Sequence, residues 1–434
     1  MSEEWRLADI EAIQGLDSRG RPTIMCRAVS QSQETAIAMV PSGASTGSRE
    51  VVELRDGDEK VYLGAGVGRA VSHINDTIKA QILDLDIREQ QQLDTRLLEL
   101  DGSYNLANLG ANAILGVSLA VAQLCARQMQ RPLHAWLNEL YGVEQLQSTL
   151  PVPWFNILNG GAHANNKLDI QEFMIIPLGV DSFSEALRAG AEVYTHLKKL
   201  LHNQNMSTAV GDEGGFAPAI ESTRQALDLI LQAIDTAGYS AGQDIYLGLD
   251  CAASEFYRKE RYILSGEQLD LDAGAWSDWL AALVADYPIC SIEDGMSEND
   301  RNGWYLLTQK LGRSVQLVGD DLFVTDPESL KEGARDGLGN SILIKPNQVG
   351  SLSSTLTTMR TARSLNLASV VSHRSGETED TLIADLAVGT AAGQAKLGAP
   401  CRSERVAKYN RLLWIEHDCG FQYAGRSALR ALGY

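Results

Sequence analysis

The sequence predicts an α/β protein in which an eight-stranded β/α barrel follows a smaller α+β domain. Three observations predict it. Over residues 1–140, extended runs come first and helical ones later. Over residues 141–434, short runs rich in Ile, Val and Leu alternate with amphipathic stretches long enough for helices. Ionisable residues stand at the ends of most of those later runs. The first pattern is that of an α+β unit and the second that of strand–helix repeats around a parallel sheet. The third is expected of a barrel, whose chemistry gathers at the C-terminal ends of its strands. A chain of 434 residues is long enough for both units.

In the first domain, strands are expected over 7–13, 23–29 and 35–40, the second following the turn-forming Ser18-Arg19-Gly20-Arg21-Pro22. Helices are expected over 71–82, 88–98, 111–129 and 133–140. The barrel strands are expected over 152–158, 173–177, 245–249, 290–292, 315–318, 342–344, 369–371 and 395–397. Helical stretches such as 273–285, 329–335, 352–365 and 381–392 separate most of them. Between the first two runs lies only Asn159-Gly160-Gly161-Ala162-His163-type sequence, so simple strand–helix alternation should fail there. An open doubly wound sheet would carry a glycine-rich turn after its first strand. Gly64-Ala65-Gly66-Val67-Gly68 is one residue short of that fingerprint and follows no strand.

Composition narrows the function. The 37 basic residues against 56 acidic ones give a net charge of −19, which argues against general nucleic-acid binding. An anionic small substrate remains possible where cations or a local basic cluster overrule the global field. The six cysteines, Cys26, Cys125, Cys251, Cys290, Cys401 and Cys419, form no C-x-x-C pair, so reduced thiols in a cytoplasmic protein are expected. The first residues carry no secretory signal. The most apolar stretch, 111–122, is too short to span a bilayer and reads as a buried helix.

The chemistry is expected at the strand ends. Leu249 is followed by Asp250, Ile292 by Glu293 and Gly319 by Asp320. Ile344 is followed by Lys345, Ser372 by His373, Arg374 and Ser375, and the last run contains Lys396. One such residue would read as a helix cap, but six consecutive strand ends do not. Asp250, Glu293 and Asp320 form an all-oxygen set of the kind that suits Mg2+. Two close ammonium groups lower each other's pKa, so one of Lys345 and Lys396 is expected neutral and able to act as a base. The glycine-flanked Glu213 and the small-residue loop Pro41–Gly47 are further candidates. The loop contains Gly43-Ala44-Ser45-Thr46-Gly47, a literal G-x-S-x-G, but no long apolar helix follows it as a nucleophile elbow requires.

Ser42–Gly47, Glu53–Asp58, Leu109–Ala122, Gln171–Met174, Gly211–Pro218, Ser291–Asp294, Gly319–Leu322, Ser372–Asp380 and Ser403–Asn410 together resemble the enolase family, its bacterial members most closely. The likeness runs in order from about residue 9 to about residue 416. It implies a barrel beginning β-β-α-α and a reversible dehydration of 2-phosphoglycerate to phosphoenolpyruvate with two Mg2+ ions. It further implies Lys345 as the base at C2 and Glu213 as the acid that protonates the leaving C3 hydroxyl. Asp250, Glu293 and Asp320 are implied as ligands of the first Mg2+, and Ser42, with substrate phosphate, as a ligand of the second. Lys396, His373, Arg374 and Ser375 are implied to hold the substrate carboxylate and phosphate, with His163, Gln171 and Glu172 near the leaving hydroxyl. A homo-oligomer, dimer or octamer, is implied as well. The acidic neighbours Asp212 and Glu172 are expected to raise the Glu213 pKa. The alternative from another class is a non-catalytic or moonlighting binding protein on the same fold. Two departures stand out: Arg21 after Asp17-Ser18-Arg19-Gly20, and Pro346 after the implied base, tolerable if the strand ends at Lys345.

Overall fold

The computed structural model describes residues 3–43 and 47–429. The centre of the Gly43–Gly47 match, Ala44-Ser45-Thr46, lies outside the described residues.

The N-terminal unit is built on an antiparallel meander of β1 (Leu7–Leu16), β2 (Pro22–Ser30) and β3 (Thr35–Met39). Strand alternation turns Ile10, Ala12, Ile24, Cys26, Ala28, Ala36 and Ala38 to one face, where all are buried. The longer helices of this unit are α1 (Gln90–Asp101), α2 (Ala111–Gln128) and α3 (Leu133–Tyr141). Helix α2 lies on that face, and its small residues let the backbones approach closely. A Cβ at Gly116 would stand 3.3 Å from Ile24 and 3.4 Å from Cys26. This helix is buried along most of its length, as its apolar sequence requires. The helix expected over 71–82 is instead broken: Gly68–Ser72 and Lys79–Ile82 are α-helical, with a π turn at His73–Ile78 between them. Helix α1 starts later than expected because Arg88 is held by Asp86, and it ends at the left-handed Gly102, φ 66°.

The barrel closes in the order β7-β8-β9-β10-β11-β4-β5-β6. These strands are β4 (Val152–Asn159), β5 (Glu172–Ile176), β6 (Tyr246–Asp250), β7 (Ile289–Glu293), β8 (Gln316–Gly319), β9 (Ser341–Ile344), β10 (Ala368–Ser372) and β11 (Gln394–Lys396). Strand β5 runs antiparallel to both β4 and β6, and all other neighbours are parallel. No α-helix separates β4 from β5, whereas two, Phe183–Asn203 and Thr223–Thr236, separate β5 from β6. The start is therefore β-β-α-α. The reversal also carries the N-terminal end of β5 to the rim where the parallel strands end, with Glu172 opposite Asp250.

The two ends of the barrel differ in chemistry. The lower interior is apolar, formed by Val152, Trp154, Met174, Ile176, Cys290, Val318, Leu343 and Val370. Each such side chain contributes about 1.5–3 kcal/mol by leaving water. Gln316 and Gln394 cross this interior with a reciprocal amide pair, 3.0 Å in each direction. The tail beyond Glu416, which carries no sequence expectation, closes the floor: Ala428 and Leu429 join the apolar cluster, and the Ala428 carbonyl accepts from Gln394. The sequence also leaves unannounced a small hairpin sheet, Tyr257–Arg258, Arg261–Leu264 and Leu269–Leu271, and the long helix Ser403–Cys419. Among the described residues, no helix is long and apolar enough to cross a membrane.

Candidate active site

The upper rim of the barrel gathers what the strand ends promise. Asp250, Glu293 and Lys396 are the last residues of β6, β7 and β11. Asp320, Lys345 and His373 follow directly on β8, β9 and β10. Pro346 opens a 3-10 turn, so it interrupts no ladder, and the Lys345 amide donates to Thr325 Oγ1 at 2.9 Å. A cleft of about 360 Å³ is lined by His163, Gln171, Glu172, Glu213, Asp250, Asp320, Lys345, His373, Arg374, Ser375 and Lys396, with Ser372 beside them. Eleven of the thirteen sequence-predicted site residues line this cleft. Glu293 lies just beneath, in contact with Lys396, and Ser42 stands apart.

Two ammonium groups organise the acids. Lys396 Nζ lies 2.8 Å from Glu293 Oε2, 3.1 Å from Asp250 Oδ2 and 3.1 Å from Glu172 Oε2. Lys345 pairs with Asp320, whose other oxygen accepts from Gln348 Nε2 at 3.0 Å. Burial pulls the Lys345 pKa down, but Asp320 outweighs it and the net shift is upward. Lys396 is raised further, because Asp250, Glu172 and Glu293 together overcome its burial. The expected neutral lysine is therefore absent from this arrangement: each ammonium has a carboxylate closer to it than the other ammonium's repulsion can offset.

Four carboxyls, the buried Glu172, Asp250 and Glu293 and the half-buried Asp320, share these two ammonium groups. Burial and Asp250 push Glu293 well above the usual carboxylate range, despite Lys396. Burial and Glu213 do the same to Glu172. An all-oxygen set with this excess of negative charge fits a hard divalent cation.

The second acid differs from expectation. Glu213 is buried in the glycine-flanked turn, accepts from Asn156 Nδ2 at 3.0 Å and faces His373 Nε2 at 3.4 Å. Burial raises its pKa, yet His373, His163 and Arg405 together outweigh it and hold it well below the usual range. The two neighbouring carboxyls are shifted in opposite directions, Glu172 up and Glu213 down. Asp212 meets this network through its backbone, whose carbonyl accepts from Arg405 Nη2 at 3.0 Å. His373 itself is lowered to about 4 by burial, with Arg405 adding to it against Glu213.

Ser42 is not brought to the cleft. Its hydroxyl donates to Glu53 at 3.0 Å and accepts from Arg55 at 3.0 Å, and its backbone pairs with Gly376. The N-terminal unit instead reaches the rim through Glu50, which pairs with Arg374 at 3.0 Å. Sequence reasoning passed over Glu50, Asn156, Gln348 and Arg405. Arg405 is fully buried and donates to the Arg374, Ser375 and Asp212 carbonyls and to His373 Nδ1. The Ser403–Asn410 run that carried part of the resemblance contains it, but nothing in its spacing announces a role.

Fold and site together define a β/α-barrel protein with a carboxylate-rich mouth, two embedded lysines and a rim bearing His373, Arg374 and Ser375. The family description "Enolase, C-terminal TIM barrel domain" matches residues 147–432, and "Enolase, N-terminal domain" matches residues 7–137. The chain belongs to the enolase family, which points to a divalent-metal-dependent lyase.

Proposed function

We propose that the chain reversibly dehydrates 2-phosphoglycerate to phosphoenolpyruvate, the glycolytic and gluconeogenic reaction of this family. The observation that carries the reading is the convergence of Lys345, Glu213 and the three carboxylates Asp250, Glu293 and Asp320 on one rim. A proton beside a carboxylate is very weakly acidic, because its removal leaves an ene-diolate. When bound, Mg2+ supplies the charge that makes such an intermediate accessible. Asp250, Glu293 and Asp320 would hold one Mg2+. Ser42 would join a second, with substrate phosphate, only after leaving Glu53 and Arg55.

Lys345 is the base. Once Asp320 is given up to a cation, burial, Arg374 and Lys396 all favour its neutral amine. Glu213 is the acid, which requires that the proton shared with Glu172 reside on Glu213 as the C3–O bond breaks. Arg374, Ser375, His373 and Lys396 hold the anionic ends of the substrate, with His163 and Gln171 beside the leaving hydroxyl. Reduced thiols support a cytoplasmic location, and all six cysteines are free. A homodimer or octamer fits the apolar side chains left exposed at Trp414, Ile13 and Ile37.

The test is phosphoenolpyruvate formation from 2-phosphoglycerate, followed with Mg2+ and again with a chelator. Product with Mg2+ and none with chelator supports the reading. No product under either condition favours a non-catalytic binding protein.

A further inference from the structure

We propose that Cys419 is a modification site: with His134 as its base, it exchanges with small disulfides, amine-bearing ones above all, to form a mixed disulfide. The thiol stands at the end of the helix Ser403–Cys419 and is the exposed one of the six cysteines. Cys401 is half-buried, while burial shields Cys26, Cys125, Cys251 and Cys290 and pushes their thiols up. Cys419 Sγ lies 3.7 Å from Nε2 of His134, the second residue of α3 and 285 positions away in the sequence. The His134 side chain is buried, and its other nitrogen, Nδ1, makes no hydrogen bond and faces Asp385 Oδ1 at 3.6 Å. Arg411 fixes Asp385 with two bonds, of 2.8 Å and 2.6 Å. Phe421 meets the imidazole in a T-shaped contact, ring centroids 5.6 Å apart.

A thiol, a base and a carboxylate behind the base are the parts of an activated nucleophile. Cys419 needs the base. Partial burial first, then Asp418 and Asp385 against Arg411, raise its pKa, so the thiol rests protonated. As Nε2 takes the thiol proton, Nδ1–H points at Asp385, whose charge favours the imidazolium. Cys419 Sγ then attacks one sulfur of the disulfide. The old S–S bond breaks and the departing thiolate recovers the proton from Nε2, so Cys419 is oxidised while half of the disulfide leaves as a free thiol. Acyl transfer does not suit this place. The helix ends here, and its carbonyls bring partial negative charge where an oxyanion would need donors. Disulfide exchange develops no oxyanion. Asp418, Asp385 and the net charge of −19 disfavour carboxylate-bearing disulfides and favour amine-bearing ones.

Cystamine is the probe, incubated with the reduced full chain and followed by intact mass, with the adduct mapped after digestion. Rates are taken relative to the urea-unfolded chain, which removes the probe's intrinsic reactivity. A single cysteamine should enter first, at Cys419, about tenfold or more faster than at any other cysteine. Cys419→Ser should lose this fast adduct. His134→Phe keeps a ring against Phe421 and, checked for folding by thermal melting, should slow the reaction at Cys419 about tenfold or more. His134→Gln, polar and without a basic nitrogen, carries the same expectation. Dithiodiglycolate, a dicarboxylate disulfide, should react more slowly than cystamine on the same relative scale. A first adduct at another cysteine would overturn the proposal. So would a parent-like rate at Cys419 in a folded His134 variant, or faster reaction with the dicarboxylate.

Discussion

The Lys396 ammonium lies 2.8 Å from Glu293 Oε2, joining residues 103 positions apart in the sequence. The same ammonium holds Asp250 and Glu172, so one positive charge restrains three buried acids. Removing one side of a buried ion cluster costs about 3–5 kcal/mol. Lys396→Met should lower the urea midpoint accordingly, and Mg2+ should recover a larger share of stability in this variant than in the parent. Equal stabilisation by Mg2+ in both proteins would show that cation and ammonium do not answer to the same carboxylates.

The proposed division of labour between base and acid separates two partial reactions. Lys345→Ala should abolish exchange of the C2 proton of 2-phosphoglycerate with solvent, read by deuterium incorporation. Glu213→Gln should keep that exchange while losing dehydration. Retained exchange in Lys345→Ala would remove Lys345 from the base role.

Gln348 is buried and spans two charged groups. Its Nε2 donates to Asp320 at 3.0 Å and to Glu50 at 3.3 Å, while its Oε1 accepts from Thr325 at 2.5 Å. Gln348→Leu removes the donor that orients Asp320. Calorimetric titration should show Mg2+ affinity reduced about tenfold, the usual scale for losing such a partner. The Thr325 hydroxyl, left with the Leu343 carbonyl at 3.3 Å as its acceptor, should cost no more than about 1 kcal/mol of stability. Undiminished Mg2+ affinity would reduce Gln348 to a packing role.

Away from the rim, Asp385 pairs with Arg411 at 2.6 Å and accepts from the His134 amide at 3.1 Å, tying the barrel to the N-terminal unit. Burial raises the Asp385 pKa, but the Arg411 and His134 contacts prevail and hold it below its ordinary value. A depressed acid contributes stability that is complete above the unfolded pKa and is lost as pH falls through the folded one. That window lies at about pH 4 and below. Asp385→Asn should cost about 3 kcal/mol at pH 7 and flatten the acid side of the stability profile. A parent-like slope between about pH 5 and 3 would show that other carboxyls carry the acid transition.

Much of the architecture was legible because strand–helix alternation and strand-end charges are local patterns. The gap between β4 and β5 foretold the irregular start, and Asp250, Glu293, Asp320, Lys345 and Lys396 fell where their strands stop. What escaped were partners made only by folding. Gln348 looks like any turn residue until Asp320 arrives beside it. Arg405 sits in an ordinary helical sequence, and its value comes from carbonyls 30 and 193 residues away. The Glu213 expectation failed for the same reason: acidic neighbours are visible in sequence, but the His373, His163 and Arg405 groups that folding brings to Glu213 are not.

Arg405 fastens the 373–375 segment and the turn bearing Glu213 to one guanidinium on a helix outside the barrel. These two parts of the wall must therefore travel as one body. The N-terminal unit is fastened to that same wall, by the Ser42–Gly376 backbone pair and by Glu50 on Arg374. Turn, outer helix and smaller unit are thus linked through one short stretch of chain, so a shift in any of them is felt by the other two.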